Sequence, residues 1–316
     1  MGADQRGRVV RLHGKTAVVS SNKIEYACRV AGKMKQGKRT SRSPVAVGDW
    51  VRFEQEAHSL EDGEGPAGTI VEIEDRKTCL SRSSAHNTRL EQAVAANVDQ
   101  LAIMVAANDI ELHLGLVDRL HVAACMAGLT PILVVNKTDL CPRQDAAQRV
   151  APYERFGLQI VYVSAQTKEG LDELRDVLKD RTTVFAGPSG VGKSTCLNAL
   201  DPSLTLRTGD VRKSGAGKHT TTSVSLLPLP WGGYVVDTPG VREFGLWNIP
   251  KDELGLWYPD FTNYRTACRY PGCTHTHQPE CAVRTACERN EIDRGRYERY
   301  VELHHQLVQE EESTRY

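Results

Sequence analysis

Residues Thr182–Thr195 read TTVFAGPSGVGKST. Val184, Phe185 and Ala186 predict a short β-strand, a glycine-rich turn follows, and Cys196, Leu197 and Leu200 mark the apolar face of a helix after it. Gly187, Gly192, Lys193 and Ser194 satisfy G-x-x-x-x-G-K-[ST], the phosphate-binding loop. Glycines let backbone N–H groups turn inward around a polyphosphate, and the following helix offers its positive end to the anion. The candidate triphosphate contacts are therefore Gly187, Pro188, Ser189, Gly190, Val191, Gly192, Lys193, Ser194 and Thr195. Lys193 is expected to reach the β- and γ-phosphates, and the Ser194 hydroxyl to ligate Mg²⁺. A chance Gly/Ser turn would lack the flanking strand and helix.

Outward from this loop the chain alternates between strand and helix signals. Val98–Ala106 is a nearly continuous apolar run, as expected of a strand buried on both faces. Val117, Leu120, Ala124 and Ala127 follow at helical spacing. Pro131–Val135 predicts a second buried strand, ending in Asn136-Lys137-Thr138-Asp139, and Gln159–Val163 a third, ending in Ser164-Ala165. Leu171, Leu174 and Leu178 mark an amphipathic helix before the loop strand. Beyond the loop helix come a polar stretch, Arg207–Thr222, and two β segments, Ser223–Leu229 and Gly233–Val236; the second runs into Asp237-Thr-Pro-Gly240.

Asn136-Lys137-Thr138-Asp139 matches N-K-x-D, the guanine-reading motif. A carboxylate at Asp139 can accept from guanine N1–H and the 2-amino group, whereas adenine would leave it unpaired. Asn136 is expected to tie this loop to the phosphate loop or the base, and the Lys137 stem to cover the ring. Ser164-Ala165 matches the weaker S-A motif, in which a backbone N–H meets O6. Both motifs sit at the carboxyl ends of predicted parallel strands, where α/β sheets bind ligands. GTP is thus favoured over ATP. Asp237-Thr-Pro-Gly240 fits D-x-x-G, with Asp237 on the Mg²⁺ side and the Gly240 N–H sensing the γ-phosphate. One of Thr220, Thr221 and Thr222 is expected to supply the Mg²⁺-facing threonine. N-K-x-D and S-A precede the phosphate loop here, the reverse of the order in small GTPases, which implies a circularly permuted domain. The segment after Gly240 then leads straight into the C-terminal part.

Residues 1–88 predict an all-β unit. The apolar runs Val9–Leu12, Thr16–Val19, Tyr26–Val30, Val45–Phe53 and Thr69–Ile73 are separated by turn residues. Five short strands fit a small OB-fold barrel. Residues 1–52 hold twelve Lys/Arg against three acids, net +9 in a chain of net charge zero. This asymmetry points to an anionic partner, nucleic acid first. Lys33, Lys35, Lys38, Arg39 and Arg42 would lie on one basic loop without an aromatic residue, suited to phosphate contacts on folded RNA rather than single-strand capture.

Four of the nine cysteines, Cys268, Cys273, Cys281 and Cys287, fall within twenty residues. Cys268, Cys273, His275 and Cys281 give C-x4-C-x-H-x5-C, three thiolates and one imidazole suited to a closed tetrahedral structural Zn²⁺ site. His277 and Cys287 are rival ligands. Arg284–Val308 predicts helix, and Gln309–Tyr316 a disordered tail. At 316 residues, 40% hydrophobic and 25% charged, the chain has an ordinary soluble composition and room for two or three domains. No run approaches the ~18 apolar residues of a membrane span, and the start lacks a signal-peptide core, so a cytoplasmic protein is expected.

The permuted order NKTD, SA, GPSGVGKST, DTPG, with a basic β-rich N-terminus and C-x4-C-x-H-x5-C, resembles the bacterial RsgA/YjeQ family. The resemblance covers roughly residues 6–305. It implies an OB-fold barrel (1–88), a circularly permuted GTPase domain (89–245) and a mostly helical zinc-binding domain (246–316). It also implies a monomer that binds the 30S ribosomal subunit and its 16S rRNA and acts late in subunit maturation, with GTP hydrolysis stimulated by the subunit. Gly217-Lys218-His219-Thr220-Thr221-Thr222 looks like the family's G-[RK]-H-T-T segment, which favours Thr220 or Thr221, with Thr221 taken as the Mg²⁺ ligand. Val241 follows Gly240 where Ras-like enzymes carry a water-orienting glutamine, so His219 is the candidate for that task. An RNA-binding scaffold with structural GTP and a GTPase serving RNA modification are the competing readings; no second active site supports the latter.

Overall fold

The computed structural model describes residues 4–14, 16–32, 44–56, 66–84, 87–204, 206, 224–237 and 249–314. Near the N-terminus run β1 (Asp4–His13), β2 (Thr16–Ser21), β3 (Ile24–Val30), β4 (Trp50–Gln55) and β5 (Ala67–Ile73). Their order is β1-β2-β3-β5-β4, and β4 pairs back onto β1, so the sheet closes on itself. Closure leaves no free edge among these strands, and alternation turns Val9, Val19, Val51, Phe53 and Ile70 into a shared interior. This is the five-stranded barrel that the N-terminal apolar runs predict.

A hairpin that the sequence reading missed follows, β6 (Cys79–Ser84) with β7 (Asn87–Ala96). The expected boundary between residues 88 and 89 falls inside β7. An isolated bridge from Val47 to Ala95 ties the hairpin to the barrel. The sequences CLSRSS and NTRLEQAVAA lack β-branched alternation, so their extended state reflects tertiary context rather than propensity.

The central sheet then builds up through β8 (Gln100–Ala106), α1 (Leu114–Met126), β9 (Thr130–Asn136), α2 (Arg143–Arg155), β10 (Gln159–Tyr162), α3 (Leu171–Leu178), β11 (Thr182–Ala186), α4 (Lys193–Leu200), β12 (Ser225–Pro228) and β13 (Tyr234–Asp237). Spatial order is β10-β9-β8-β11-β13-β12, with only β12 antiparallel to its neighbour. β8 and β11 are buried along their whole lengths, as central parallel strands covered on both faces must be. Helices α1 and α2 cover one face, α3 and α4 the other. The phosphate-loop strand β11 therefore lies mid-sheet between β8 and β13, although it comes late in the chain. Permutation changes the connections and leaves the strand order suited to a nucleotide site. At the far edge β12 pairs with β1 at Ser225 and Arg11, which joins barrel and sheet.

The C-terminal part packs 3-10 turns and two helices, α5 (Ala282–Glu288) and α6 (Arg294–Thr314), around Tyr258, Phe261 and Tyr300. The segment expected to be helical over Arg284–Val308 is helical in two pieces, with a break between them: Asn290 adopts a left-handed φ of 59° and Asp293 Oδ1 accepts from Arg296 N at 2.8 Å to start α6. The tail expected to be disordered is instead helical to Thr314. Glu and Gln are good helix formers, and Lys251 Nζ holds Glu311 Oε2 at 2.7 Å, which offsets acids placed at a helix C-terminus.

Candidate guanine-nucleotide site and metal centre

The carboxyl ends of β10, β9 and β11 lie along one edge of the parallel sheet, with β8 between β9 and β11, and one side chain ties their loops together. Asn136, 1% exposed at the end of β9, donates from Nδ2 to Val191 O at 2.8 Å and accepts at Oδ1 from Ala165 N at 3.3 Å. It therefore links the phosphate loop to the Ser164-Ala165 loop. Gly192 sits beside it at φ +94°, where a Cβ would come 2.6 Å from Asn136 Nδ2. Glycine is required there both for the backbone angle and for the close approach.

Gly192 is also the N-cap of α4, so Lys193, Ser194 and Thr195 form the first turn of that helix. The Lys193 ammonium donates to Gly187 O at 2.8 Å and Pro188 O at 2.9 Å, which folds its charge over the loop formed by Gly187, Pro188, Ser189, Gly190 and Val191. Asp139 stands exposed in the turn after β9, and Ser164 Oγ donates to its Oδ1 at 2.6 Å. Thr167 N in turn donates to Ser164 Oγ at 3.0 Å, and Thr138 N to Val163 O at 3.3 Å. Lys137 takes a left-handed φ of 61°, which turns the chain sharply between Asn136 and Asp139. Asp237 closes β13, the parallel neighbour of β11, at the same end of the sheet.

Cys268, Cys273, His275 and Cys281 place their ligand atoms within 4.8 Å of one another. Cys268 Sγ and Cys281 Sγ are 3.9 Å apart, and His275 Nδ1 lies 3.5 Å from the first and 3.4 Å from the second. A tetrahedral Zn²⁺ with bonds of about 2.3 Å to sulfur and about 2.0–2.1 Å to nitrogen requires separations near 3.8 and 3.6 Å, so these residues fit the ion. Burial, then Arg265, lowers the His275 pKa to about 4, which keeps the imidazole a neutral donor. Burial also pushes the Cys281 thiol up to about 12, so the thiolate needs a cation to share the site. His277 and Cys287 lie outside the cluster: His277 Nδ1 meets Thr276 Oγ1 at 3.0 Å, and Cys287 packs in the apolar core.

A family model described as RsgA GTPase matches residues 73–247. The chain belongs to the RsgA GTPase family. Two relatives are 38% identical to it: the "Small ribosomal subunit biogenesis GTPase RsgA" of Chlorobaculum tepidum, over 304 residues (94% of this chain, 96% of that one), and "RsgA 1" of Vibrio vulnificus, over 320 residues (100% and 88%). Among solved structures, YjeQ from Thermotoga maritima is 32% identical with a TM-score of 0.76, covering 97% of this chain and 99% of that one. YloQ, titled a circularly permuted GTPase, is 27% identical with a TM-score of 0.72, covering 98% and 96%. Its RsgA-family architecture is thus a permuted GTPase domain between a barrel and a Cys/His cluster, and its catalytic class is GTP hydrolysis.

The RsgA-family site also depends on residues that motif reading overlooked. Gly170 caps α3 at φ +70°, and a Cβ there would lie 1.9 Å from Tyr162 O, so only glycine lets the Ser164–Gly170 loop close. Its place just before the amphipathic Leu171, Leu174 and Leu178 was the available signal. Tyr297 and Tyr300, one turn apart on α6, donate to His275 O at 2.7 Å and Thr274 O at 2.6 Å. Lys33, Lys35, Lys38, Arg39, Arg42, His219, Thr220, Thr221 and Gly240 lie outside the described residues. No described helix is long and apolar enough to cross a membrane.

Proposed function

We propose that this chain is a GTP-hydrolysing factor in late maturation of the 30S ribosomal subunit, stimulated by the subunit and released when GTP is cleaved. The observation that carries the nucleotide reading is Asn136, whose two hydrogen bonds join the loop after β11 to the Ser164-Ala165 loop, so one side chain sets phosphate and base positions together. The subunit is suggested by relatives named small ribosomal subunit biogenesis GTPases along nearly the whole chain.

On this reading Asp139, oriented by Ser164, accepts from guanine, Lys137 covers the ring, and the Ala165 N–H meets O6. Residues Gly187–Thr195 cradle the phosphates, with Lys193 neutralising the β- and γ-oxygens. Ser194, Thr221 and Asp237 hold Mg²⁺, which supplies charge neutralisation at the phosphates. Thr220 and Gly240 complete the γ-phosphate contacts. His219 orients the attacking water, because the apolar Val241 cannot; a His219→Ala variant with full subunit-stimulated turnover would remove that role. Cys268, Cys273, His275 and Cys281 hold one structural Zn²⁺. Lys33, Lys35, Lys38, Arg39 and Arg42 contact 16S rRNA phosphates. The working unit is a cytoplasmic monomer of three parts, 1–88, 89–245 and 246–316.

The test is GTP against ATP hydrolysis, alone and with added 30S or 50S subunits. GTP turnover raised by 30S alone is expected. Equal turnover with and without 30S would leave a nucleotide-bound scaffold as the better reading.

A further inference from the structure

Arg296 is 1% exposed, yet it is charged and sits where α6 meets α1 and α2 of the central domain. Its Nη1 donates to Asp118 Oδ1 on α1, and its Nε lies 3.1 Å from both oxygens of Asp260. Arg299 Nε donates to the other Asp118 oxygen at 2.6 Å. The Tyr153 hydroxyl, on α2, donates to Asp118 Oδ1 at 2.6 Å. Rings of Phe156, Tyr258 and Tyr153 stand 4.4, 4.7 and 4.9 Å from the Arg296 guanidinium carbon. Burial works against this charge, but Asp118 and Asp260, with Tyr258 and Tyr153 beside them, together outweigh it and raise the Arg296 pKa. A buried ion network adds little net stability over an apolar contact, because desolvation offsets its attraction; it does specify one docking geometry.

The same turn of α6 faces the cysteine cluster. Arg296 and Arg299 reach the central domain, while Tyr297 and Tyr300 hold the carbonyls of His275 and Thr274. These four residues span only about 6 Å of helix axis at 1.5 Å per residue. At the other end, α1 leads into β9, which ends in Asn136, and α2 begins at Arg143 directly beyond the Asp139 turn. Arg149 Nη1, also on α2, donates to Ala107 O at 2.9 Å just past β8. One continuous set of hydrogen bonds and helices thus runs from the cluster to the loop that carries Asn136 and Asp139.

We propose that this latch couples metal occupancy to guanine-nucleotide affinity. It rests on reading Asn136–Asp139 as the base site and the cysteine cluster as the metal site. An ion on the cluster holds the loop under Tyr297 and Tyr300, keeps the first turn of α6 seated, and so fixes α1 and α2 where the base loop is competent. Linkage makes the effect reciprocal, so bound nucleotide retains the ion by the same factor. Asp118, Tyr153, Arg296 and Arg299 are positioning residues and touch neither ligand.

The experiment titrates fluorescent GDP into full-length protein, Zn²⁺-loaded or chelator-stripped, for wild type, Arg296→Gln, Tyr153→Phe and the double variant Tyr297→Phe/Tyr300→Phe. Stripping is expected to weaken GDP binding about five- to tenfold in wild type and less than about twofold in each variant. Saturating GDP should raise the Zn²⁺ affinity, read by equilibrium competition with a chromophoric chelator, by the same factor in wild type only, a readout that a purely structural role would not move. Circular dichroism checks folding; if Arg296→Gln is unfolded, Tyr153→Phe, which loses one hydroxyl, carries the comparison. Equal GDP affinity with and without Zn²⁺ in wild type, or the same fold-loss in wild type and variants, would overturn the latch alone. Loaded wild type that bound no GDP would overturn the nucleotide reading with it.

Discussion

Replacing Asn136 with alanine removes two hydrogen bonds at once, one to Val191 O at 2.8 Å and one from Ala165 N at 3.3 Å. Both bonds are made by a side chain 1% exposed, so water does not readily replace them. The shorter bond is worth about 1.5 kcal/mol and the longer somewhat less, with a further cost for buried backbone groups left unpaired; together about 3 kcal/mol. If that loss falls on binding, the dissociation constant for GDP rises about a hundredfold. Both bonds join protein groups to one another rather than to nucleotide, so they set the spacing of the two loops, and the change should appear in Kd more than in kcat. The assay is equilibrium titration with fluorescent GDP, with thermal unfolding recorded to separate lost affinity from lost fold. Asn136→Asp serves as the companion variant: it keeps the acceptor for Ala165 N but sets a carboxylate oxygen against Val191 O, and should bind no better than the alanine variant. A Kd within about threefold of wild type for both variants, with unchanged unfolding, would refute the bridge as the element that aligns the site.

Other perturbations give separate outcomes. Gly170→Ala should push the Ser164–Gly170 loop off Tyr162 O and weaken GTP binding while leaving α3 helical; unchanged GTP-over-ATP preference in competition binding would count against a role for that closure. Arg8, 8% exposed, donates to Asn97 O and Thr182 Oγ1, both at 3.0 Å, where barrel meets sheet, so Arg8→Met should cost about 2–4 kcal/mol in urea unfolding. Burial, then Arg296, pushes His121 down to about 3 from an ordinary 6.5. The unfolded chain therefore takes up a proton below pH 6.5 that the folded chain refuses, and stability falls as pH drops from 6.5 towards 3. His121→Gln should flatten that decline by about 1.2 kcal/mol per pH unit, averaged over pH 4.5 to 6.5 in urea unfolding; equal slopes would exclude His121 as the group responsible.

The phosphate loop, N-K-x-D, S-A and the cysteine cluster were legible because each is a short run whose residue types and spacing suffice for its chemistry. The five barrel strands were legible because alternating apolar residues announce them. The β6–β7 hairpin was not, since CLSRSS and NTRLEQAVAA take strand form through pairing with each other and contact at Val47. The C-terminal tail read as disordered from its polarity, yet α6 continues to Thr314, with Lys251 tied to Glu311. Arg8 and Arg296 were invisible for a related reason: arginine is usually a surface residue, and nothing adjacent in sequence marks either as buried.

By itself the sequence supplied the motifs on which the proposed chemistry rests: a phosphate-loop pattern, a carboxylate in an N-K-x-D turn, and a three-cysteine, one-histidine cluster. Those properties are local, because phosphate cradling and metal ligation need only a few side chains within a short stretch. Tertiary structure decided how the parts are joined. Asn136 reaches Val191 across 55 positions, and Arg296 reaches Asp118 across 178, in bonds that form only after the sheet has assembled and α6 has docked. Their geometry follows from burial and packing of distant segments, which no local pattern encodes.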